Sequence, residues 1–240
     1  MKAATRLAGI VLAAGLAFAG PAEARSGTVQ LSPDQVDASL LLPPPPAPGS
    51  PDALSEIAEL KDIAAHRTAA EFEQAARDAG DESGAFFASA IGPGFDFAKL
   101  PATAQMLADI GATEDAVNKG AKEFFRRDRP WIVIADWQTC TPHKPGPAQN
   151  SYPSGHATVG YAMGVVLAAL MPEKAQAILA RAGTFAENRL VCGAHFRSDI
   201  VAGEVLGTVI AIDLLRSPDF RKEYDAAAAE LAAAHLRPGN

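Results

Sequence analysis

The chain has 240 residues and a formal net charge of −7; 48% of its residues are hydrophobic and 20% are charged. This apolar content excludes an intrinsically disordered protein, because a disordered chain buries too little apolar surface to offset the entropy lost on ordering. The negative charge also argues against binding of polyanions through bulk electrostatics, so we expect no nucleic acid partner.

The first 24 residues have the pattern of a secretory signal peptide. Lys2 and Arg6 precede an uncharged apolar stretch over 7–20, and an Ala-Glu-Ala sequence follows, as at a signal-peptidase site. The apolar stretch is shorter than the roughly 20 residues that a membrane span needs, and no later stretch is long enough. We therefore expect a periplasmic mature chain that begins at Arg25 and has no membrane span.

The mature chain divides by composition into an N-terminal arm over 25–52 and a domain over 53–240. Consecutive prolines over 43–46 fix their φ angles and lack backbone donors, which predicts an extended polyproline arm. In the rest of the chain, apolar residues recur with helical spacing, and the one β-branched run, at 131–134, is short. The sequence predicts an all-α, single-domain helical bundle with buried central helices and a proline-rich N-terminal arm.

The helices of this bundle can be placed by their start and stop signals. Ser50-Pro51 is typical of a helix start, and Pro130 is expected to stop a helix. The predicted helices run over 51–79, 103–129, 157–171, 173–189, 200–215 and 222–237. The third of these is apolar nearly all round and should lie at the centre. Glycine pairs at 160 and 164 and at 203 and 207 are expected to let two core helices approach closely.

Two clusters of polar residues suggest an anion site. Lys122 and Arg129 are seven residues apart, which would place both on one face of a helix; a solvated basic face is the ordinary alternative. Ser154, Gly155 and His156 lie where the proline-rich loop meets the apolar helix. A helix N-terminus presents backbone N–H groups and the positive end of the helix dipole to an anion, although a simple serine N-cap gives the same pattern.

A third cluster contains Arg189, His195 and Asp199. Gly193 is expected to end one helix and Ser198 to cap the next, so that His195 lies at a bend and Asp199 in the following first turn. An aspartate that accepts one ring N–H of a histidine fixes its tautomer and leaves the other nitrogen as a nucleophile or base. A purely structural hydrogen bond is the alternative.

Together the three clusters resemble the signature of the phosphatidic acid phosphatase type 2 and haloperoxidase superfamily, which reads Lys-x6-Arg-Pro, Pro-Ser-Gly-His and Ser-Arg-x5-His-x3-Asp. The chain departs from it at Asn188, where the family usually has serine. Within the superfamily it is most similar to the bacterial class A non-specific acid phosphatases. That narrower resemblance rests on the segments Leu41–Pro46, Ser151-Tyr152 and Val191–His195.

The resemblance implies an acid phosphatase that hydrolyses a broad range of small phosphomonoesters through a phosphohistidine. His195 would be the nucleophile, Asp199 would orient it, and His156 would act as general acid and then as general base. The phosphate would be bound by Lys122, Arg129, Ser154, Gly155 and Arg189. No metal and no other cofactor would be needed, since the cations take the place of a metal. The family also implies a homo-oligomer.

Three other functions share parts of this pattern. A vanadate-dependent haloperoxidase uses the same three motifs, but the exported arm and the flanking residues count against it. A membrane lipid phosphatase would need spans that the mature chain lacks. A non-catalytic periplasmic phosphate-binding protein would use the cations, yet it gives no reason for two histidines and an aspartate at these positions.

The two cysteines of the chain are Cys140 and Cys192. Export would place them in an oxidising compartment, and neither has another partner, so we expect a disulfide between them. In the chain-entropy model, a disulfide that closes the loop from Cys140 to Cys192 stabilises the protein by about 4 kcal/mol. Two buried thiols are the alternative.

Overall fold

The computed structural model describes residues 26–142 and 148–238, and within those ranges it contains helices and no β-strand. The predicted all-α class is confirmed. The predicted signal peptide over 1–24 lies outside the described residues. The α-helices are α1 Ala38–Leu41, α2 Pro51–His66, α3 Ala69–Ala79, α4 Ala88–Ile91, α5 Pro101–Phe125, α6 Pro130–Val133, α7 Gly155–Leu170, α8 Ala175–Val191, α9 Arg197–Arg216 and α10 Pro218–Ala233.

Helix α7 forms the centre of the bundle and packs against α9, α8 and α5. Its closest neighbour is α9, because a Cβ at Gly207 would lie only 2.2 Å from the carbonyl oxygen of Thr158. This confirms the predicted close approach on the α9 side. Gly160 and Gly164 of α7 serve a different contact, since they face Phe185 and its neighbours on α8. The two glycine pairs therefore serve two different helix contacts.

The segment predicted as one helix over 51–79 forms two helices. Ser50 caps α2 and Pro51 is its first residue, as expected. The helix ends before Thr68, whose hydroxyl accepts from the N–H of Glu71 while the Glu71 carboxylate accepts from the N–H of Thr68. This capping box starts a new helix and explains the break.

The helix predicted over 103–129 ends at Phe125, four residues early. Arg126 adopts a left-handed conformation with φ of 49° and terminates α5, so the chain is already extended when it reaches Pro130. Lys122 therefore lies in the last turn of α5, whereas Arg129 precedes α6. The prediction that both cations share one helix face was wrong.

The turn between α8 and α9 carries His195. Gly193 follows the end of α8 with φ of 79°, which favours glycine. The N-cap of α9 is Phe196 rather than the predicted Ser198. Asp199 lies in the first turn of α9, as predicted, and its Oδ2 accepts from the backbone N–H of Phe196 at 2.9 Å. The carboxylate, not a serine hydroxyl, therefore caps this helix.

The described part of the N-terminal arm packs on the bundle. Leu31, Val36 and Leu42 are buried in the core, and α1 forms a short helical turn within the arm. The carbonyl of Pro43 accepts from the Tyr152 hydroxyl at 2.6 Å, which joins the arm to the loop before α7. Among the helices of the described ranges, none has the length and apolar character required to traverse a bilayer.

Candidate active site

A cavity of about 300 Å³ lies at the N-terminal end of α7. Most of the predicted site residues line it: Lys122, Arg129, Gly155, His156, Arg189 and His195. The other two, Ser154 and Asp199, are fully buried behind the cavity wall. The three sequence clusters therefore converge on one site, although they lie far apart along the chain.

Three cationic side chains meet at this cavity. Burial, together with the charge of Arg129, lowers the pKa of Arg189 to about 10. Burial likewise lowers the pKa of Arg129 to about 10, with Asp199 opposing the shift. The pKa of Lys122 is lowered by burial and then by Arg129. The mutual repulsion of these groups favours an anion between them.

Arg189 is 7% exposed, and its Nε and Nη1 atoms have no hydrogen-bond partner in the described part of the chain. Buried donors without partners are rare, because each one carries a desolvation penalty of about 1–3 kcal/mol or more. Such donors in a cationic cavity are what an oxyanion would satisfy. The planar guanidinium presents such N–H groups for hydrogen bonds to phosphate oxygens.

Arg129 is held at the cavity by neutral partners. Its Nε donates to Oδ1 of Asn150 at 2.8 Å, and its Nη1 donates to the carbonyl of Ala194 at 3.0 Å. The same Nη1 lies 2.7 Å from Nε2 of His195. These contacts fix the guanidinium beside the imidazole without neutralising its charge.

The surroundings of His195 define its protonation state. Because Nη1 of Arg129 is a donor, Nε2 of His195 accepts and carries no proton. The other nitrogen, Nδ1, faces Oδ2 of Asp199 at 3.3 Å and carries the hydrogen. Burial holds the pKa of His195 well below its usual value, with further lowering by Arg129 and Arg189. The imidazole is thus neutral, with the lone pair of Nε2 directed into the cavity side of the ring.

Asp199 is held by a network that the sequence analysis missed. Arg127 donates to Oδ1 of Asp199 at 2.6 Å and to Oε2 of Glu56 at 2.5 Å, and Ser151 donates to Oδ2 of Asp199 at 2.6 Å. Glu56 in turn accepts from the backbone N–H of Ser198 at 2.6 Å. The partners of Arg127, Asp199 and Glu56, lie 72 and 71 residues away in the sequence, so no local pattern identifies this network.

His156 lies on the first turn of α7. Its Nδ1 is 2.8 Å from a carboxylate oxygen of Glu82, and its Nε2 is 3.2 Å from the carbonyl of Ala79. Two acceptors facing both nitrogens suit an imidazolium, which donates from both. Burial lowers the pKa of His156, as does Arg189, while Glu82 opposes the shift. His156 therefore gains a second proton at acidic pH. Glu82 was not singled out in the sequence.

Ser154 and Gly155 form the start of α7 in different ways. The Ser154 hydroxyl accepts from the N–H of Ala157 at 3.4 Å, which is the ordinary N-cap role. Gly155 lines the cavity, and a Cβ there would lie 3.2–3.5 Å from polar atoms of Asn118, Lys122 and Glu114. A side chain at this position would crowd the cation, so glycine leaves room for both the lysine and an anion.

Asn188 does not line the cavity. Its amide donates to Oδ2 of Asp78 at 2.7 Å, and Asp78 is also paired with Arg181 at 2.6 and 3.0 Å. Asn188, at the position where the family usually has serine, is thus part of a buried hydrogen-bond network with Asp78 and Arg181. In this chain the position supplies no hydroxyl to the site.

A disulfide joins Cys140 to Cys192, with Cα atoms 4.7 Å apart. The expected pairing is confirmed. The N–H of Cys140 donates to the carbonyl of Cys192 at 3.0 Å, and Nε1 of Trp137 donates to the carbonyl of Gly193 at 2.8 Å. These bonds tie one wall of the cavity to the turn that carries His195.

Comparisons with known proteins agree with this geometry. Residues 104–223 match the PAP2 superfamily. An acid phosphatase of Zymomonas mobilis is 34% identical over 204 residues, which cover 82% of this chain and 76% of that protein. A non-specific acid phosphatase of Providencia stuartii is 31% identical, and the alignment covers 82% of each chain. A non-specific acid phosphatase of Salmonella typhimurium is 30% identical, and the alignment covers 79% of this chain and 78% of that protein.

Solved structures share the fold at low sequence identity. The structure of Aquifex aeolicus LpxE aligns with a TM-score of 0.53 and 21% identity, covering 67% of this chain and 94% of that one. The first transmembrane PAP2 type phosphatidylglycerolphosphate phosphatase from Bacillus subtilis aligns with a TM-score of 0.52 and 18% identity, and the alignment covers 77% of this chain and 90% of that one. The chain therefore belongs to the PAP2 superfamily and, within it, to the non-specific acid phosphatases.

Proposed function

We propose that this acid phosphatase hydrolyses a broad range of phosphomonoesters through a phosphohistidine at His195, without a metal ion. The observation that carries the proposal is the pair of unpartnered buried donors on Arg189, in a cavity that also holds Lys122 and Arg129. A phosphate dianion satisfies those donors and relieves the repulsion among the three cations. The same charges disfavour a metal cation in that place.

The cations also stabilise the transition state. In-line phosphoryl transfer spreads charge over the three equatorial oxygens, and preorganised donors stabilise that charge without reorganisation. Lys122, Arg129 and Arg189 would bind these oxygens, together with the backbone N–H of Gly155 at the start of α7. Ser154 would contribute by fixing this helix start; its hydroxyl oxygen accepts the capping bond and keeps its own hydrogen for donation to the phosphate.

The first chemical step is attack by His195. Its Nε2 lone pair forms a bond to phosphorus as the bond between phosphorus and the alcohol oxygen breaks. The proton on Nδ1 stays in the hydrogen bond to Asp199, which stabilises the positive charge that develops on the ring. Arg129 would transfer its Nη1 donor from Nε2 to a phosphate oxygen when substrate binds.

His156 supplies and then removes a proton. As an imidazolium it protonates the departing alcohol oxygen, which takes the electron pair of the broken bond. As a neutral base it then accepts a proton from water, and the hydroxide equivalent attacks phosphorus and breaks the bond to His195. Inorganic phosphate leaves and both histidines return to their starting states.

The remaining cavity lining supports breadth of substrate. Trp131, Thr139, Thr141 and Pro142 offer neutral surface beside the proposed phosphate site. The proposed mechanism uses all three cations on the phosphate and assigns none to the alcohol. We therefore propose small phosphomonoesters with varied alcohols as substrates. A periplasmic location and a homo-oligomeric assembly stay predictions.

Turnover of a chromogenic aryl phosphate by the purified chain tests the proposal. We expect hydrolysis at acidic pH, and we expect Arg189→Met to lose at least about 100-fold in kcat/KM, since charged donors to a developing oxyanion contribute on that scale. Arg216→Met, at an exposed arginine at the end of α9, is the matched control and should retain full activity. Phosphate binding without turnover by the unaltered chain would instead support a binding protein.

A further inference from the structure

Helix α5 presents a buried carboxyl to the cavity that has no role in the steps above. Glu114, Asn118 and Lys122 are spaced four residues apart, so they lie along one side of the helix. Glu114 is 4% exposed and Asn118 is 2% exposed. Glu114 nevertheless lines the cavity together with Lys122.

The three side chains converge on Gly155. An ideal Cβ at that glycine would lie 3.2 Å from Nδ2 of Asn118, 3.3 Å from Nζ of Lys122 and 3.5 Å from Oε1 of Glu114. The amide of Asn118 donates to Oε1 of Glu114 in a short hydrogen bond. The carboxyl thus lies beside both the ammonium and the backbone N–H at which we place the phosphate.

The amide of Asn118 can serve either protonation state of Glu114. Its Nδ2 donates to the carboxylate, while its Oδ1 is buried and has no partner in the described residues. If Glu114 carries a proton, rotation of the amide by half a turn lets Oδ1 accept it. The site therefore tolerates both a charged and a neutral carboxyl.

Burial raises the pKa of Glu114 above its usual range, while the Asn118 hydrogen bond and Lys122 oppose this shift. Asp115 on the same helix and Glu82 from the loop after α3 raise the pKa further. The negative charge of Glu114 raises the pKa of Lys122, and the positive charge of Arg129 lowers it. The charged groups that surround this pair are Glu82, Asp115, Arg129, His156, Arg189 and His195.

We propose that Glu114 is a positioning residue that makes anion binding at Lys122 dependent on pH. As a carboxylate, Glu114 attracts the Lys122 ammonium through space, across the position of Gly155, and repels an anion there. As a neutral acid, it leaves the ammonium free to bind the anion. Binding of an oxyanion is therefore linked to uptake of a proton at Glu114. This inference deepens the proposed function, since it concerns the same phosphate site.

Sulfate is a suitable probe, because it is tetrahedral and its charge is constant at neutral pH. We would measure its dissociation constant by calorimetry from pH 5 to 8.5 for the unaltered chain and for Glu114→Gln. Titration of the histidines affects both proteins, so the dissociation constant of the unaltered chain divided by that of Glu114→Gln isolates the effect of Glu114. We expect this ratio to be near one at pH 5 and to rise to about threefold to tenfold at pH 8.5, as for a pKa shift of about half to one unit on binding.

Glu123→Gln removes an exposed carboxylate from the same helix and serves as the matched control; its sulfate affinity should follow the unaltered chain at every pH. Should Glu114→Gln fail to fold, Glu114→Met gives the same expectation. A ratio that stays constant from pH 5 to 8.5, or a chain that binds no sulfate, overturns the inference. The proposed function is judged separately by aryl phosphate turnover, which this binding measurement does not require.

Discussion

Nε2 of His195 lies 2.7 Å from Nη1 of Arg129, so the cation that would bind the phosphate first occupies the lone pair of the nucleophile. The contact requires Nε2 to be unprotonated and fixes the hydrogen on Nδ1, toward Asp199. Substrate therefore meets a nucleophile in its reactive tautomer. Arg129 needs only to exchange one acceptor for another when the phosphate arrives.

Orthovanadate should inhibit the enzyme competitively with substrate. Vanadate can adopt a five-coordinate form that resembles the transferring phosphoryl group, and Lys122, Arg129 and Arg189 would bind it. Chelators should leave turnover unchanged, because in the proposed mechanism these cations take the place of a metal. Steady-state kinetics with vanadate and with EDTA check both expectations. Loss of activity in EDTA that Mg²⁺ or Zn²⁺ restores would contradict the metal-free mechanism.

Replacement of His156 should depend on the leaving group. His156→Ala removes the general acid, which matters most for a strongly basic alkoxide and least for a stabilised phenolate. We expect the variant to lose roughly 10²–10⁴ more in kcat with glycerol phosphate than with a nitrophenyl ester. His66→Ala, at an exposed histidine at the end of α2, is the control. Equal losses with both esters would show that His156 is not the general acid.

Glu82 should set the alkaline limit of activity. The carboxylate opposes the lowering of the His156 pKa by burial and by Arg189, so Glu82→Gln lowers that pKa further. If the protonated histidine is the acid, as proposed, kcat for an alkyl phosphate should fall as pH rises through the pKa of His156. The falling limb of the pH profile should move to lower pH in Glu82→Gln and stay in place in Glu73→Gln, an exposed change on α3. A shift to higher pH would contradict this role.

Two glycine replacements should have opposite effects on stability. Gly207→Ala places a Cβ 2.2 Å from the Thr158 carbonyl, and such overpacking costs about 1–3 kcal/mol or more. Gly120→Ala, in α5, meets no atom within 4 Å and should stabilise the helix by about 0.5–1 kcal/mol. Chemical denaturation of both variants measures the free energy of unfolding. Similar stabilities would mean that α7 and α9 are less closely packed than described.

The sequence predicted the fold class from local patterns, whereas the site residues were predicted from the resemblance of three separated motifs to a family signature. The apolar run after Gly155 indicated the central helix, and the spacing from Arg189 to Asp199 indicated the His195 turn. The end of α5 was misplaced because Arg126 adopts a left-handed conformation that proline spacing does not reveal. The break before Thr68 was overlooked although its capping box with Glu71 is visible in the sequence.

The supporting residues could not be predicted, since their partners are distant in sequence. Glu56 reaches Arg127 from 71 residues away, and Asn188 reaches Asp78 from 110 residues away. Only the packing of α2 and α3 against the later helices brings these groups together. Glu114 shares one side of α5 with Lys122, but only the fold places its carboxyl near Gly155 at the cavity.

Rapid quench with labelled substrate tests the central claim most directly. In His156→Ala, loss of the base for the second step should let the phosphoenzyme accumulate when an aryl ester is the substrate. We expect acid-labile label on His195 within the first turnover, and no label in His195→Ala, which should also be inactive toward every ester. Label on another residue, or turnover by His195→Ala, would contradict the phosphohistidine mechanism.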